Sequence, residues 1–247
     1  MYAVSDCKNF LVRSLFRINS RHGGGTPWHL DNSFEYYQQM QELSIESFQK
    51  NLLGTWELVE LGGDFKTIQQ TWIEIIKQIR QLWHDQYPCN ILWTDTDTLC
   101  IKPLDIFGRF QEFRVFTEQD PLDIPQYHNG CLKYYPSTLH PSFWTQMQQE
   151  LDNWDFDKYD TEQTVHYKLM WNQSSLQDNI NQEQSSIVSQ LGARFGWGTG
   201  QTFNFEDIAQ QDLDRCVLHF HSSRDPSARL EWMQKTWKQL NILEDKI

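Results

Sequence analysis

Along the N-terminal half of the chain, the spacing of apolar positions switches repeatedly between the period of a strand and that of a helix. Leu11 to Ile18 reads as a first strand. From Ser33 to about Leu53, Phe34, Tyr37, Leu43 or Ile45, Phe48 and Leu52 recur near helical spacing, and Asp31, Asn32 and Ser33 are good N-cap types. Trp56 to Leu61 alternates in places and predicts a second strand, closed by Gly62-Gly63. Ile68, Trp72, Ile75, Ile76, Ile79 and Trp83 then mark one face of a helix, with Thr67 and Gln70 as a capping box. Ile91-Leu92-Trp93 is a short apolar strand. Strand, helix, strand, helix, strand predicts an α/β domain in which a mostly parallel central sheet is flanked by helices. Ligands in such sheets bind beyond the carboxyl ends of the strands.

The C-terminal half is less regular. Phe113 to Phe116 and Gly130 to Tyr134 read as strands. Phe143, Met147 and Leu151 space out a helix over Pro141 to Leu151, and Thr161 to Trp171 reads as another. Asn172 to Gln190 is rich in Gln, Asn and Ser and is expected to be mobile or partly helical. The glycines of Gly192 to Gly200 predict a loop, as do those of His22-Gly23-Gly24-Gly25-Thr26. Cys216 to His221 is a strand, and Asp225-Pro226 starts a final helix that runs to about Leu240. With no internal repeat and no clear linker, one domain over 1–247 is expected.

Chemistry concentrates where the third strand ends, in NILWTDTDTLCIKPLD from Asn90 to Asp105. Side chains two apart on an extended segment point the same way, so Asp95 and Asp97 can present paired carboxylates at a strand end. Two carboxylates that close repel unless a cation sits between them. A divalent ion binding a diphosphate resolves this, and oxygen ligands suit Mg2+ or Mn2+. Asp-X-Asp alone is a weak signal, because Asp155-Phe156-Asp157 and Asp212-Leu213-Asp214 share it. The strand before the first pair and Lys102-Pro103 after it distinguish that pair.

Val217-Leu218-His219-Phe220-His221-Ser222-Ser223-Arg224 is the second concentration. On a strand, His219 and His221 face one way and Phe220 the other. Imidazole joins carboxylates readily around Mn2+, and Arg can bridge phosphate oxygens.

Charge and cysteine content narrow the partners. A formal charge of −12 argues against general nucleic-acid binding and against an anionic membrane surface. It leaves room for a nucleotide, which a metal and a few local bases can hold. The five cysteines are widely spaced with no Cys-x-x-Cys, which disfavours structural zinc and a disulfide framework and suits a reducing compartment. Asp6, Lys8, Arg13 and Arg17 interrupt the apolar runs at the N-terminus, unlike a signal peptide, and no run approaches the length of a membrane span. A cytoplasmic setting is expected.

The acidic strand resembles the metal-binding strand of nucleotide-sugar glycosyltransferases with the GT-A fold. It is most similar to the glycogenin-like retaining group (family 8), where Asp-x-Asp follows an apolar strand and Lys-Pro-Leu comes after. His128-Asn129-Gly130-Cys131-Leu132 resembles that group's Asn-x-Gly strand near the donor sugar. Asp160-Thr161-Glu162-Gln163 resembles its Asp-Gln-Asp segment beside the reaction centre. His219 to Arg224 resembles its His-x-x-Gly-x-x-Lys ending, in which the histidine completes the metal shell. Thr164, Tyr167, Ser222 and Arg224 depart from the group's pattern. The chain is also similar to glycosyltransferase-like proteins of tailed phages that infect cyanobacteria, through Ser14 to Ile18, Trp28 to Tyr37 and the His-x-His-x-Ser-Arg ending.

The resemblance implies a metal-dependent glycosyltransferase, a hexosyltransferase with retaining outcome, taking a nucleotide diphosphate sugar. In the phage case it would work in the host cytoplasm. Its acceptor could be a glycan, lipid, protein or modified nucleobase. By the same resemblance Asp95, Asp97 and His219 hold Mn2+ or Mg2+, with His221 the competing ligand and Arg224 assisting at the diphosphate. Ser14 and Asp31 face the nucleotide, Asn129 and Glu162 contact the sugar, and Gln163 lies close to the anomeric carbon. Glu162 is the candidate acid or base, although an acid opening a helix is also what the macrodipole favours. Trp171 could stack on an acceptor sugar, and core packing is its plainer role. Two other classes use similar residues: a nucleotidyltransferase or metal-dependent hydrolase, and a non-catalytic carbohydrate-binding or structural protein on the same fold.

Overall fold

The computed structural model describes residues 7–18, 31–65, 68–107, 109–116, 131–153, 165–166, 169, 187–191, 204–220 and 226–244. It opens with the predicted alternation: β1 (Lys8–Ile18), α1 (Asp31–Asn51), β2 (Glu57–Phe65), α2 (Ile68–Asp85) and β3 (Cys89–Thr94). There follow β4 (Thr98–Cys100), β5 (Arg114–Phe116), β6 (Leu132–Tyr135), α3 (Ser142–Asp152), β7 (Val188–Gln190), α4 (Gln210–Leu213), β8 (Val217–His219) and α5 (Pro226–Glu244).

Five strands form the central sheet in the order β2-β1-β3-β6-β5. β1 runs parallel to both β2 and β3, whereas β6 runs antiparallel to β3 and β5. Four of the five strands therefore point one way, and the sheet is mostly parallel as expected. β3 sits in the middle with every residue buried, which explains its unbroken apolar run.

Alternation along the strands sorts the core into two faces. Phe10, Val12, Ile91, Trp93, Val115 and Tyr135 point toward α2 and α3, where Ile75, Ile79, Trp83, Phe143 and Trp144 cover them. Leu11, Leu92, Leu132 and Tyr134 point the other way, against Phe48 of α1, Leu52 just after it, and the turn that carries Leu104 and Ile106. A third cluster joins α1 to α5 through Met40, Leu230, Met233 and Trp237, and to a small second sheet through Leu99, Leu218 and Phe220.

That second sheet has the order β4-β8-β7 and was not visible as a sheet in the sequence. β4 pairs antiparallel with β8, bringing Thr98 opposite His219, and β7 pairs parallel with β8. Three residues are too few to display a period. β7 also corrects the expectation for Asn172 to Gln190, since its last three residues are strand, ordered by pairing with β8. β2 runs through Gly62-Gly63 to Phe65 instead of stopping there, because its ladder with β1 continues to Ile18 opposite Phe65.

Gly62 meets a close approach. A Cβ there would lie 2.3 Å from the backbone oxygen of Leu15. Gly62→Ala is expected to push the β1–β2 ribbon apart at a cost of about 1–3 kcal/mol, the usual range for forced overpacking. Urea unfolding of the variant checks this, and unchanged stability would mean that the ribbon yields freely.

α5 extends beyond the predicted Leu240 to Glu244, and α3 and β6 match their predicted segments within two residues. Residues 165, 166 and 169 are helical, in agreement with the helix expected over Thr161 to Trp171. The rest of that helix, the His22 to Thr26 and Gly192 to Gly200 loops, the Thr67 cap and most of Asn172 to Gln190 lie outside the described residues. No described helix is long and apolar enough to cross a membrane.

Candidate metal centre

Asp95 follows β3 directly, and Asp97 stands in the turn that leads into β4. Backbone bonds fix both ends of this turn. The Asp95 N–H donates to the Cys131 carbonyl at 2.9 Å, tying the turn to the start of β6. The Phe220 N–H donates to the Asp97 carbonyl at 2.9 Å, which continues the β4–β8 ladder by one rung. That ladder carries His219, the last residue of β8, to the acidic pair.

The three predicted ligands converge. His219 Nε2 lies 3.4 Å from Asp97 Oδ1 and 3.9 Å from Asp95 Oδ2. One donor atom from each of Asp95, Asp97 and His219 falls within 4.8 Å of the others. His219 and Asp97 are buried and Asp95 is half-buried, so the cluster opens on the Asp95 side. Two anionic oxygens and one imidazole nitrogen form a donor set that suits Mn2+, and Mg2+ through the oxygens. An ion about 2.1 Å from each of two ligands holds them roughly 3–4 Å apart, and the two separations from His219 agree. These residues therefore fit a divalent ion.

The outer oxygens of the pair are taken by cations from this chain. Lys133 Nζ lies 3.3 Å from Asp95 Oδ1, and Arg229 Nη1 lies 2.5 Å from Asp97 Oδ2. Lys133 is fully buried on β6, directly opposite Trp93, with its ammonium 4.2 Å from the centre of the indole ring. Arg229 comes from the first turns of α5. Tyr37 of α1 is close enough to feel both Arg229 and Asp97, and burial pushes its hydroxyl pKa up.

Arg13 supports the turn from the other face of the sheet. It is fully buried, and its guanidinium donates to the Asp95 carbonyl at 2.8 Å and to Thr98 Oγ1 at 3.3 Å. It also lies over the Phe48 ring, 4.5 Å from its centre. Burial pushes its pKa down to about 9, and the nearby Asp95 charge opposes the shift. Ser44 Oγ of α1 donates to the Thr98 carbonyl, and Ser47 Oγ accepts the Cys100 N–H at 2.9 Å, so α1 holds β4 in place.

Ser14 was expected to face a nucleotide. It stands on β1 with its Oγ accepting the Trp93 indole N–H at 3.0 Å. This bond fixes Trp93, which in turn supports the Lys133 ammonium. Asp31 is the first residue of α1, and its side chain lies outside those described. Asn129, Glu162, Gln163, Trp171, His221 and Arg224 also lie outside the described residues.

Sequence reasoning missed Lys133, Arg229 and Arg13. Lys133 and Arg13 carried a usable signal. A charge inside an apolar strand must find a partner on folding, which marks both residues without naming that partner. Arg229 is one of several charged residues on the final helix and gave none. His166 was missed as well: it is buried, 2.6 Å from the Tyr135 hydroxyl through Nε2, among Trp93 and Phe113.

No protein-family model matches the chain, and no curated protein does. Among solved structures it is similar to a glycosyltransferase involved in the glycosylation of the major capsid of PBCV-1. That match has 10% identity and a TM-score of 0.48, and covers 92% of this chain and 98% of the other. It is also similar to the apo form of the glycosyltransferase GlyE of Streptococcus pneumoniae TIGR4, with 10% identity and a TM-score of 0.40. There the match covers 97% of this chain and 64% of that one, so this chain spans under two thirds of GlyE.

Proposed function

We propose that this chain is a single GT-A-like domain over 1–247 that transfers a sugar from a nucleotide diphosphate sugar to an acceptor. One observation carries the reading: Asp95, Asp97 and His219 bring two carboxylates and an imidazole to one point beyond the carboxyl end of β3. That is where a mostly parallel sheet binds its ligands. The likeness of the acidic strand to the glycogenin-like group supports the same assignment and suggests a retaining hexosyltransferase.

A divalent ion held there would stabilise negative charge on the departing nucleoside diphosphate. The chain's own residues prepare for this. Asp95 Oδ2 and Asp97 Oδ1 face inward with His219 Nε2, while Lys133 and Arg229 keep the outer oxygens occupied. Arg13 holds the backbone of the turn, so the two carboxylates keep their spacing when a ligand enters. In this reading Ser14 and Asp31 lie toward the nucleotide, Asn129 and Glu162 toward the sugar, Gln163 near the anomeric carbon, and Arg224 at the diphosphate.

A thermal-shift screen of nucleotide sugars with Mn2+ present tests the reading. Stabilisation is expected from at least one nucleotide sugar, and only when Mn2+ is added. Absence of any metal-dependent shift would count against it. The histidines provide a sharper check. His219→Ala is expected to weaken Mn2+ binding by more than about tenfold, and much more than His221→Ala. Calorimetry on both variants decides. Equal losses would mean that both support the site, and the reverse order would place the ligand two residues later.

A further inference from the structure

Each carboxylate of the acidic pair already faces a fixed cation. Lys133 has no exposed surface, and its ammonium is held between Asp95 Oδ1 and the Trp93 ring. Arg229 is largely buried against Asp97 Oδ2. Arg13, behind the turn, adds a third buried cation, its guanidinium 2.8 Å from the Asp95 carbonyl. Among the described residues, three cations thus surround two carboxylates. A bare divalent ion entering this pocket meets carboxylate charge that is already compensated, and positive groups that solvent screens poorly. A diphosphate reverses the balance, because it arrives with several negative charges.

We propose that Lys133 and Arg229 make the site accept a divalent ion together with a diphosphate and disfavour the ion alone. The inference rests on the metal-centre reading above. It assigns the two residues a positioning role: they hold the outer carboxylate oxygens, while Asp95 Oδ2, Asp97 Oδ1 and His219 Nε2 face one another. They also couple the ion to its anionic partner through charge. Metal uptake and donor recognition become one event, and the resting protein does not trap stray divalent ions.

The test measures Mn2+ binding by the loss of the free-Mn2+ resonance signal, with Mn2+ alone and with the manganese complex of inorganic pyrophosphate. Wild type is compared with Lys133→Met, Lys133→Arg and Arg229→Met. Wild type is expected to bind Mn2+ alone at least about tenfold more weakly than the pyrophosphate complex, within the usual range of coupling between two ligands. Lys133→Met and Arg229→Met should each tighten binding of Mn2+ alone by about tenfold and shrink that difference. Lys133→Arg should behave as wild type. Mn2+ alone should also raise the melting temperature of Lys133→Met more than that of wild type. Arg229→Met carries the same test if Lys133→Met does not fold. Equal wild-type affinity for the two forms would overturn the inference and leave the metal centre standing. So would charge-removing variants that bind Mn2+ alone no more tightly than wild type. No manganese binding in either form would overturn both.

Discussion

Replacing Asp97 with Asn is expected to abolish Mn2+-dependent binding of a nucleoside diphosphate while leaving the fold intact. Asp97 is 5% exposed, offers Oδ1 to the cluster 3.4 Å from His219, and anchors the turn through its carbonyl bond to Phe220. Asn keeps the volume and the backbone bonds but removes the anionic oxygen. Asp95→Asn removes the other one. Loss of an outer partner of a metal ligand already costs about 10–100-fold in metal affinity, so loss of a ligand itself should cost at least about a hundredfold. Calorimetry of nucleoside diphosphate binding with and without Mn2+ makes the measurement, and circular dichroism checks the fold. Unchanged, metal-independent binding in both variants would remove the pair from the site.

The largest stability effect is expected in the core between α2 and α3. Trp83 is 2% exposed, and its ring lies 5.9 Å from Trp144 and 4.8 Å from Tyr87 by centroid. Its indole N–H donates to the Pro136 carbonyl at 3.4 Å, which ties α2 to the turn after β6. Trp83→Ala removes all of these contacts and leaves a cavity that the surrounding aromatic rings are too rigid to fill. The expected loss is about 3–5 kcal/mol. For a chain of this size that corresponds to a melting temperature lower by roughly 6–20 °C. Urea unfolding should show the midpoint falling with little change in slope. A loss under about 1 kcal/mol would mean that α2 and α3 are not held together through this residue.

The alternation from β1 to β3 was legible because each element is long enough to show its period. α2 shows it best: Ile75, Ile76, Ile79 and Trp83 all face the core, where the spacing put them. β4 and β7 could not be read, because three residues carry no period and their strand form comes from pairing with β8. The ligand set was legible in part. Asp95 and Asp97 stood out against an apolar strand, and His219 stood near the end of another. Their meeting depends on the β4–β8 ladder, which joins segments distant in the sequence. The cations around them were harder. Lys133 looked like an interruption of an apolar strand, and only the fold shows it opposite Trp93 and against Asp95.

The central claim is that this acidic centre serves sugar transfer from a nucleotide diphosphate sugar, and the released product tests it most directly. The purified chain is incubated with the nucleotide sugar that stabilises it, with and without Mn2+, and the nucleotide products are separated by chromatography. Free nucleoside diphosphate, released only with Mn2+ and lost in Asp97→Asn, is the predicted result. Pyrophosphate or a nucleoside monophosphate would instead indicate a nucleotidyltransferase or hydrolase. Glycan binding that needs neither metal nor nucleotide, with no product formed, would contradict the assignment as an enzyme.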